Sequence, residues 1–150
     1  MSAISGLYDG MVTILDGLFV APTYRKLVNP FIAELNDTPS LNRGYGFYIG
    51  PKTVRAKIGR DEAFEADIIV LQSIVHRGTD RDLSIRETAE KTLLEDQFLL
   101  IDYFRLNTSP IEKVWDISYV QDGGLEFVFQ SQSQFRIIQT TLKGIYSESC

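Results

Sequence analysis

The 150 residues predict one α+β domain: a mixed or mainly antiparallel sheet of about five strands, an N-terminal helix and a central helix packed on it, and a long protruding β-hairpin. Three observations predict this fold. The length, with 44% hydrophobic residues, suffices for one ordinary core and is short for two. Apolar residues recur every three or four positions near the start and again over 85–104, the period of a helix with one buried face. Between and after those stretches stand runs rich in β-branched and aromatic residues, bounded by turn residues.

In SGLYDGMVTILDGLF, Leu7, Met11, Ile14, Leu15, Leu18 and Phe19 form the stripe of an amphipathic helix. Gly6, Gly10 and Gly17 each cost about 1 kcal/mol there relative to alanine, so packing must hold this helix. Gly6 and Gly10, four apart, either admit another backbone closely or are simply tolerated. Pro22, Pro30 and Pro39 break the next stretch, which leaves room for a short helix around residues 30 to 36 and then a loop.

YGFYIGPKTVRAKIG and EAFEADIIVLQSIV read as two strands joined through the polar RDE. Side chains alternate along a strand, so Ile68, Val70 and Ile74 share one face and Ile69, Leu71 and Val75 the other. Apolar residues on both faces predict a strand covered on both sides. HRGTDRD follows as a loop, and Ser84-Ile85-Arg86-Glu87 fits the box that caps a helix start. Ile85, Ala89, Leu93, Leu94, Leu100, Ile101 and Phe104 are its expected buried stripe, with Asn107 and Pro110 ending it. The ten charges between His76 and Gln97 are expected on its solvated face, with Glu87 and Lys91 as a favourable i,i+4 pair. IEKVWDISYV, GLEFVFQ and QFRIIQTTLKGIYSE then read as three strands, with a hairpin turn at Asp122-Gly123-Gly124.

The same residues argue against several kinds of chemistry. A net charge of -5 does not gather nucleic acid or anionic membrane at the whole-chain level. Asp9, Asp16 and glycines interrupt the opening stretch, which does not read as a signal peptide, and no run approaches the roughly 18 apolar residues of a membrane helix. The single cysteine, Cys150, excludes an internal disulfide framework or a cysteine-rich metal site, and points to maturation in a reducing compartment. One histidine, His76, excludes two-histidine zinc motifs, and no serine stands in a nucleophile elbow for it to serve. GYGFYIGPK has the spacing G-x-G-x-x-x-G and runs into a strand, so Gly44, Gly46 and Gly50 read as strand-edge bends rather than a phosphate loop. Asp80, Asp82 and Glu87 lack the glycine and terminal glutamate of a calcium loop. Lys52, Arg55, Lys57 and Arg60 lie near Tyr45, Phe47 and Tyr48 as in a single-strand nucleic-acid grip, but the following RDEAFEAD predicts neutralisation across the hairpin. No catalytic residue, cofactor site or metal site is expected.

An excess of apolar surface remains. Two helices cannot cover both faces of such a sheet, and Tyr45, Phe47, Tyr48 and Trp115 read as exposed aromatics. An oligomer follows as the expectation, with Tyr45, Phe47, Tyr48, Ile69 and Leu71 as candidate subunit-interface residues.

The strand pair YGFYIGPKTVRAKIGRDEAFEADIIVLQSIV, the loop HRGTDRDLS, the helix IRETAEKTLLEDQFLLIDYF and the closing DISYVQDGGLEFVFQ with FRIIQTTLKGIYSE resemble, over nearly the whole chain, the tail terminator proteins of long-tailed bacteriophages. The resemblance is one of pattern, without a short diagnostic motif. It implies a virion structural protein of the tail or neck, assembled in the host cytoplasm: a homohexameric ring that caps the completed tail tube and then presents the head-connector attachment surface. Its partners would be its own copies, the tail tube protein and the head-tail connector. DNA would pass through the channel without specific binding, and no membrane, cofactor or enzymatic activity is implied. APTYRKLVNPFIAELNDTPS is long for the simplest such proteins and reads as an added helix at the ring exterior. The alternatives are a head-tail connector or tail completion neck protein and, in another class, a small α+β ligand-binding or regulatory domain.

Overall fold

The computed structural model describes residues 2–19, 24–26, 41–58, 61–77, 83–107, 110–111, 114–130 and 133–149. They form helix α1 (Ala3–Leu18), strands β1 (Tyr24–Lys26), β2 (Leu41–Ile58) and β3 (Asp61–Arg77), helix α2 (Leu83–Leu106), and strands β4 (Val114–Gln130) and β5 (Ser133–Ser149). The fold is α+β, with four long antiparallel strands and a three-residue parallel strand, β1, beside Arg43–Tyr45 of β2. The order across the sheet is β1-β2-β3-β5-β4. β3 and β4 run the same way with β5 between them, so α2 is the crossover that such a connection requires.

Ser2 caps α1, its Oγ accepting the Ser5 N–H at 3.3 Å. Of the predicted stripe, Leu7, Met11, Leu15 and Phe19 are buried and Ile14 and Leu18 partly so; with Ala3 they pack with Ile68 and Val70 of β3, Leu142 and Tyr146 of β5, Ile117 of β4, and Leu100 and Phe104 of α2. Each large side chain buried this way stabilises the fold by about 1.5–3 kcal/mol relative to exposure. The two α1 glycines differ. A Cβ at Gly10 would come within 2.7 Å of the Ile111 side chain, whereas one at Gly6 would meet nothing within 4 Å. The close approach is therefore real at Gly10, and its partner is a side chain.

The face assignment in β3 holds for the described side chains, and that of Val75 lies outside them. Ile68 and Val70 face α1, and Ile74 joins Ala89, Leu93 and Ile138. Ile69 and Leu71 are buried with Ile137 in a separate cluster.

Several expectations change. Asp122-Gly123-Gly124 is not a hairpin turn: β4 runs through it, and its register against β5 slips between Asp122 and Leu125. The glycines there serve a bulge, which needs the same backbone freedom as a turn. Two of the three expected closing strands are thus one strand, and the hairpin closes with Gln130 opposite Ser133. Gly44 and Gly46 lie in regular register inside β2, and only Gly50 adjoins an irregularity, between Ile49 and Lys52. β5 accompanies β3 from Asp61 to Arg77, so the hairpin is three strands wide along its whole length. α2 begins at Leu83, which places Ser84 within the helix. Its other end is as expected, with the Asn107 N–H donating to the Tyr103 carbonyl at 2.9 Å. The short helix expected around residues 30 to 36, Cys150 and the Asp80-Arg81-Asp82 loop lie outside the described residues.

Candidate functional site

α2 meets the sheet across a seam that is polar in the middle. Arg43 Nη1 lies 3.2 Å from Asp96 Oδ1, Arg136 Nη1 lies 3.1 Å from Glu90 Oε1, and Gln97 Nε2 donates to Thr140 Oγ1 at 3.0 Å. Asp96, Gln97, Arg136 and Thr140 are all buried. Two acids of the stretch expected to be solvated therefore turn to the sheet. The physical reason is that β2, β3 and β5 present Arg43, Gln72, Arg136 and Thr140 on the face α2 covers, and buried charges require partners. The signal was present in the spacing. Asp96 and Gln97 lie three and four positions after Leu93, in step with Ala89, Leu93, Leu100 and Phe104.

Turning those residues inward turns others outward. Leu94, expected in the buried stripe, is exposed, as are Phe98 (61%), Leu99 and Leu106 (72%). Glu87 and Lys91 are solvated as expected. The middle of α2 thus combines a partly polar inner side with an apolar outer one.

The five candidate interface residues divide. Tyr45, expected to be exposed, is 5% exposed: its ring packs 5.4 Å from that of Phe19, and its hydroxyl donates to Asp16 Oδ1 at 2.5 Å. Odd-numbered positions at the start of β2 face the helices, which draws Tyr45 inside together with Arg43 and the half-buried Phe47. Burial, then the hydrogen bond and negative charge of Asp16, hold the Tyr45 phenol well above its ordinary range. Phe47 lies 4.8 Å from Tyr8, ring to ring. Ile69 and Leu71 are buried in the second cluster, and Tyr48 is 41% exposed. The side chain of Trp115 lies outside the described residues.

The predicted cross-strand neutralisation falls mostly on side chains outside the described residues, those of Arg55, Lys57, Arg60, Asp61 and Glu62. Lys57 stands opposite Glu62, but Lys52 stands opposite Ala66, and Arg55 falls in the register shift between Val54 and Ala56. Glu65 lies 3.6 Å from Lys143 on the other side of β3. Lys52 and its neighbours from Pro51 to Val54 are all exposed.

Among the described residues, no group of three histidine, cysteine or acidic side chains is placed to hold a metal ion. No described helix is long and apolar enough to cross a membrane. His76 stands in β3 opposite Leu41 and Gln134. Among the described residues, exposed apolar side chains gather on the outer side of α2 and on the outer strands, at Tyr48, Val54, Tyr119 and Val120. No protein-family model matches the chain, and no curated protein matches it.

Proposed function

We propose that this chain is a structural subunit of a phage virion, a tail terminator that forms a homohexameric ring, caps the completed tail tube and offers the surface to which the head connector attaches. The observation that carries the reading is the apolar surface left over after the fold is complete. Leu94, Phe98, Leu99 and Leu106 lie exposed on one helix, with Tyr48, Val54, Tyr119 and Val120 on the outer strands. Scattered exposed apolar residues are ordinary, but several on one helix face mark an interaction surface.

Three further features support it. The order of helix, hairpin, helix and closing strands resembles the pattern expected of tail terminators, and the exposed apolar side chains suit contact with other proteins. An acidic chain also suits a channel through which DNA slides, because the phosphate backbone binds cationic surfaces. In this role Leu71 and Ile69 hold the hairpin in shape, while Tyr48 and the outer side of α2 face neighbours.

The capping activity has its own test. The purified chain is added to tail tube protein from the same genome while that protein polymerises, and tube ends and lengths are scored by electron microscopy. The expected result is extra density at one end of each tube and arrested growth. Tubes that lengthen as before, with bare ends, would contradict the reading.

A further inference from the structure

Helix α2 carries a line of side chains that is complementary to its own reverse. Glu87, Lys91, Leu94, Phe98, Asp102 and Arg105 follow one another in steps of four and three, which keeps them along one side of a helix. That side points away from the sheet. Ala89, Leu93, Asp96, Gln97, Leu100 and Phe104 are buried on the other side, while Glu87, Lys91, Leu94, Phe98 and Arg105 are exposed and Asp102 is partly so. Along the line the order is acid, base, apolar, apolar, acid, base.

Two such lines laid antiparallel, with a two-fold axis midway between Leu94 and Phe98, set every one of these charges against its opposite. Glu87 lies seven residues before Leu94 and Arg105 seven after Phe98, so each meets the other across the axis. Lys91 lies three before Leu94 and Asp102 four after Phe98, which makes them level to within one residue, about 1.5 Å of helix. In the middle, Leu94 of each copy faces Phe98 of the other. Other arrangements lose this match. Parallel lines in register set each charge against its own kind, and an antiparallel axis at Phe98 sets Lys91 against Arg105, each seven residues from it. Charges on facing positions select orientation and register in paired helices, because like charges there repel and opposite ones attract.

We infer that two copies of this chain pair through α2, antiparallel, with Leu94 and Phe98 at the centre and Glu87 to Arg105 and Lys91 to Asp102 contacts on either side. Asp102 is already ion-paired with Arg105 of its own helix. Across the boundary that pair becomes the middle of a run of alternating charge, with Glu87 and Lys91 of the other copy at its ends. Leu94 and Phe98, 49% and 61% exposed in the single chain, leave water in the pair. Glu95, exposed beside the line and one residue from its centre, is brought toward Glu95 of the second copy and opposes the contact. A two-fold contact uses the same patch on both copies and stops at two, so this inference does not rest on the ring reading, and a ring needs a second surface as well. Few side chains take part, so pairing is expected to depend on concentration.

The test uses the full chain with the charges of the line reversed in halves. One variant carries Lys91→Glu and Arg105→Glu, which leaves only acids beside Leu94 and Phe98; the other carries Glu87→Lys and Asp102→Lys, which leaves only bases. Folding is checked by circular dichroism, and self-association by sedimentation over a range of concentrations and salt. Each variant alone sets like charge against like charge and is expected to associate about tenfold more weakly than the parent, or worse. An equimolar mixture is expected to recover pairing. So is a single chain with all four substitutions, whose line keeps its complementarity with the signs exchanged. Glu95→Gln is expected to tighten the pair. If a reversal prevents folding, Lys91→Gln with Arg105→Gln replaces it, with a smaller loss expected.

Variants that associate as tightly as the parent, or a mixture that fails to recover, would overturn the helix pairing, and a six-membered ring that survives in them would leave the ring reading standing. Pairs that respond as expected and never grow beyond two copies would support the pairing and overturn the ring. A parent chain that never associates would overturn both.

Discussion

The Tyr45 hydroxyl sits 2.5 Å from Asp16 Oδ1 on a side chain that is 5% exposed. To ionise, it must create a negative charge in a desolvated place beside one that already exists, so its pKa rises. The phenol is above its unfolded value of about 10, and the sign of the linkage follows. Its contribution to stability is complete below that value and is lost as pH rises through the higher folded one. In an alkaline titration followed by tyrosine absorbance, Tyr45→Phe is therefore expected to show the same amplitude as the parent at about pH 11 while both remain folded. An amplitude smaller by one of the seven tyrosines would mean that Tyr45 ionises freely. Gln72 is the residue in the seam least served by its surroundings, since neither amide atom meets a partner among the described residues.

At the scale of elements, Leu71 and Phe98 are opposite kinds of apolar residue. Leu71 is 2% exposed inside the sheet, and Phe98 is 61% exposed on α2. Leu71→Asp buries a charge without a partner and is expected to cost more than about 3 kcal/mol of folding stability in urea melts. Phe98→Asp is expected to cost less than about 0.5 kcal/mol in the isolated subunit while weakening self-association. A folded, assembling Leu71→Asp protein would remove this strand from the core. The helix α1, both strands of the first hairpin and the alternation of Ile68 to Leu71 were legible in the sequence, because local period alone determines them. The turn at Asp122-Gly123-Gly124 was misread because turns and bulges make the same demand on glycine, and only the register of β5 distinguishes them. β1 was missed because three residues carry no period; its place depends on Arg43–Tyr45 of β2. α2 was misread for a third reason. A purely apolar criterion placed Leu94 inside, whereas the ion pairs with Arg43 and Arg136 decide which side of the helix turns inward. The candidate interface suffered from the same limit: exposure depends on which face the helices cover, so Tyr45 was assigned outward and Tyr48 proved to be the open one.

At the scale of the whole molecule, the described residues form two helices and four long strands, and in this acidic chain the long helix keeps apolar side chains in water. In the ring proposed above, burial of those exposed apolar side chains between copies adds to the stability of the assembly. The proposed ring of copies of this chain is open to direct measurement. Its most direct test is the mass of the purified protein by light scattering across a wide concentration range, with the particles inspected by electron microscopy. The expected result is a hexamer, or a monomer that passes to six-membered rings as concentration rises. A particle that keeps the 17.0 kDa mass of one chain at every concentration would contradict it and favour a small ligand-binding domain.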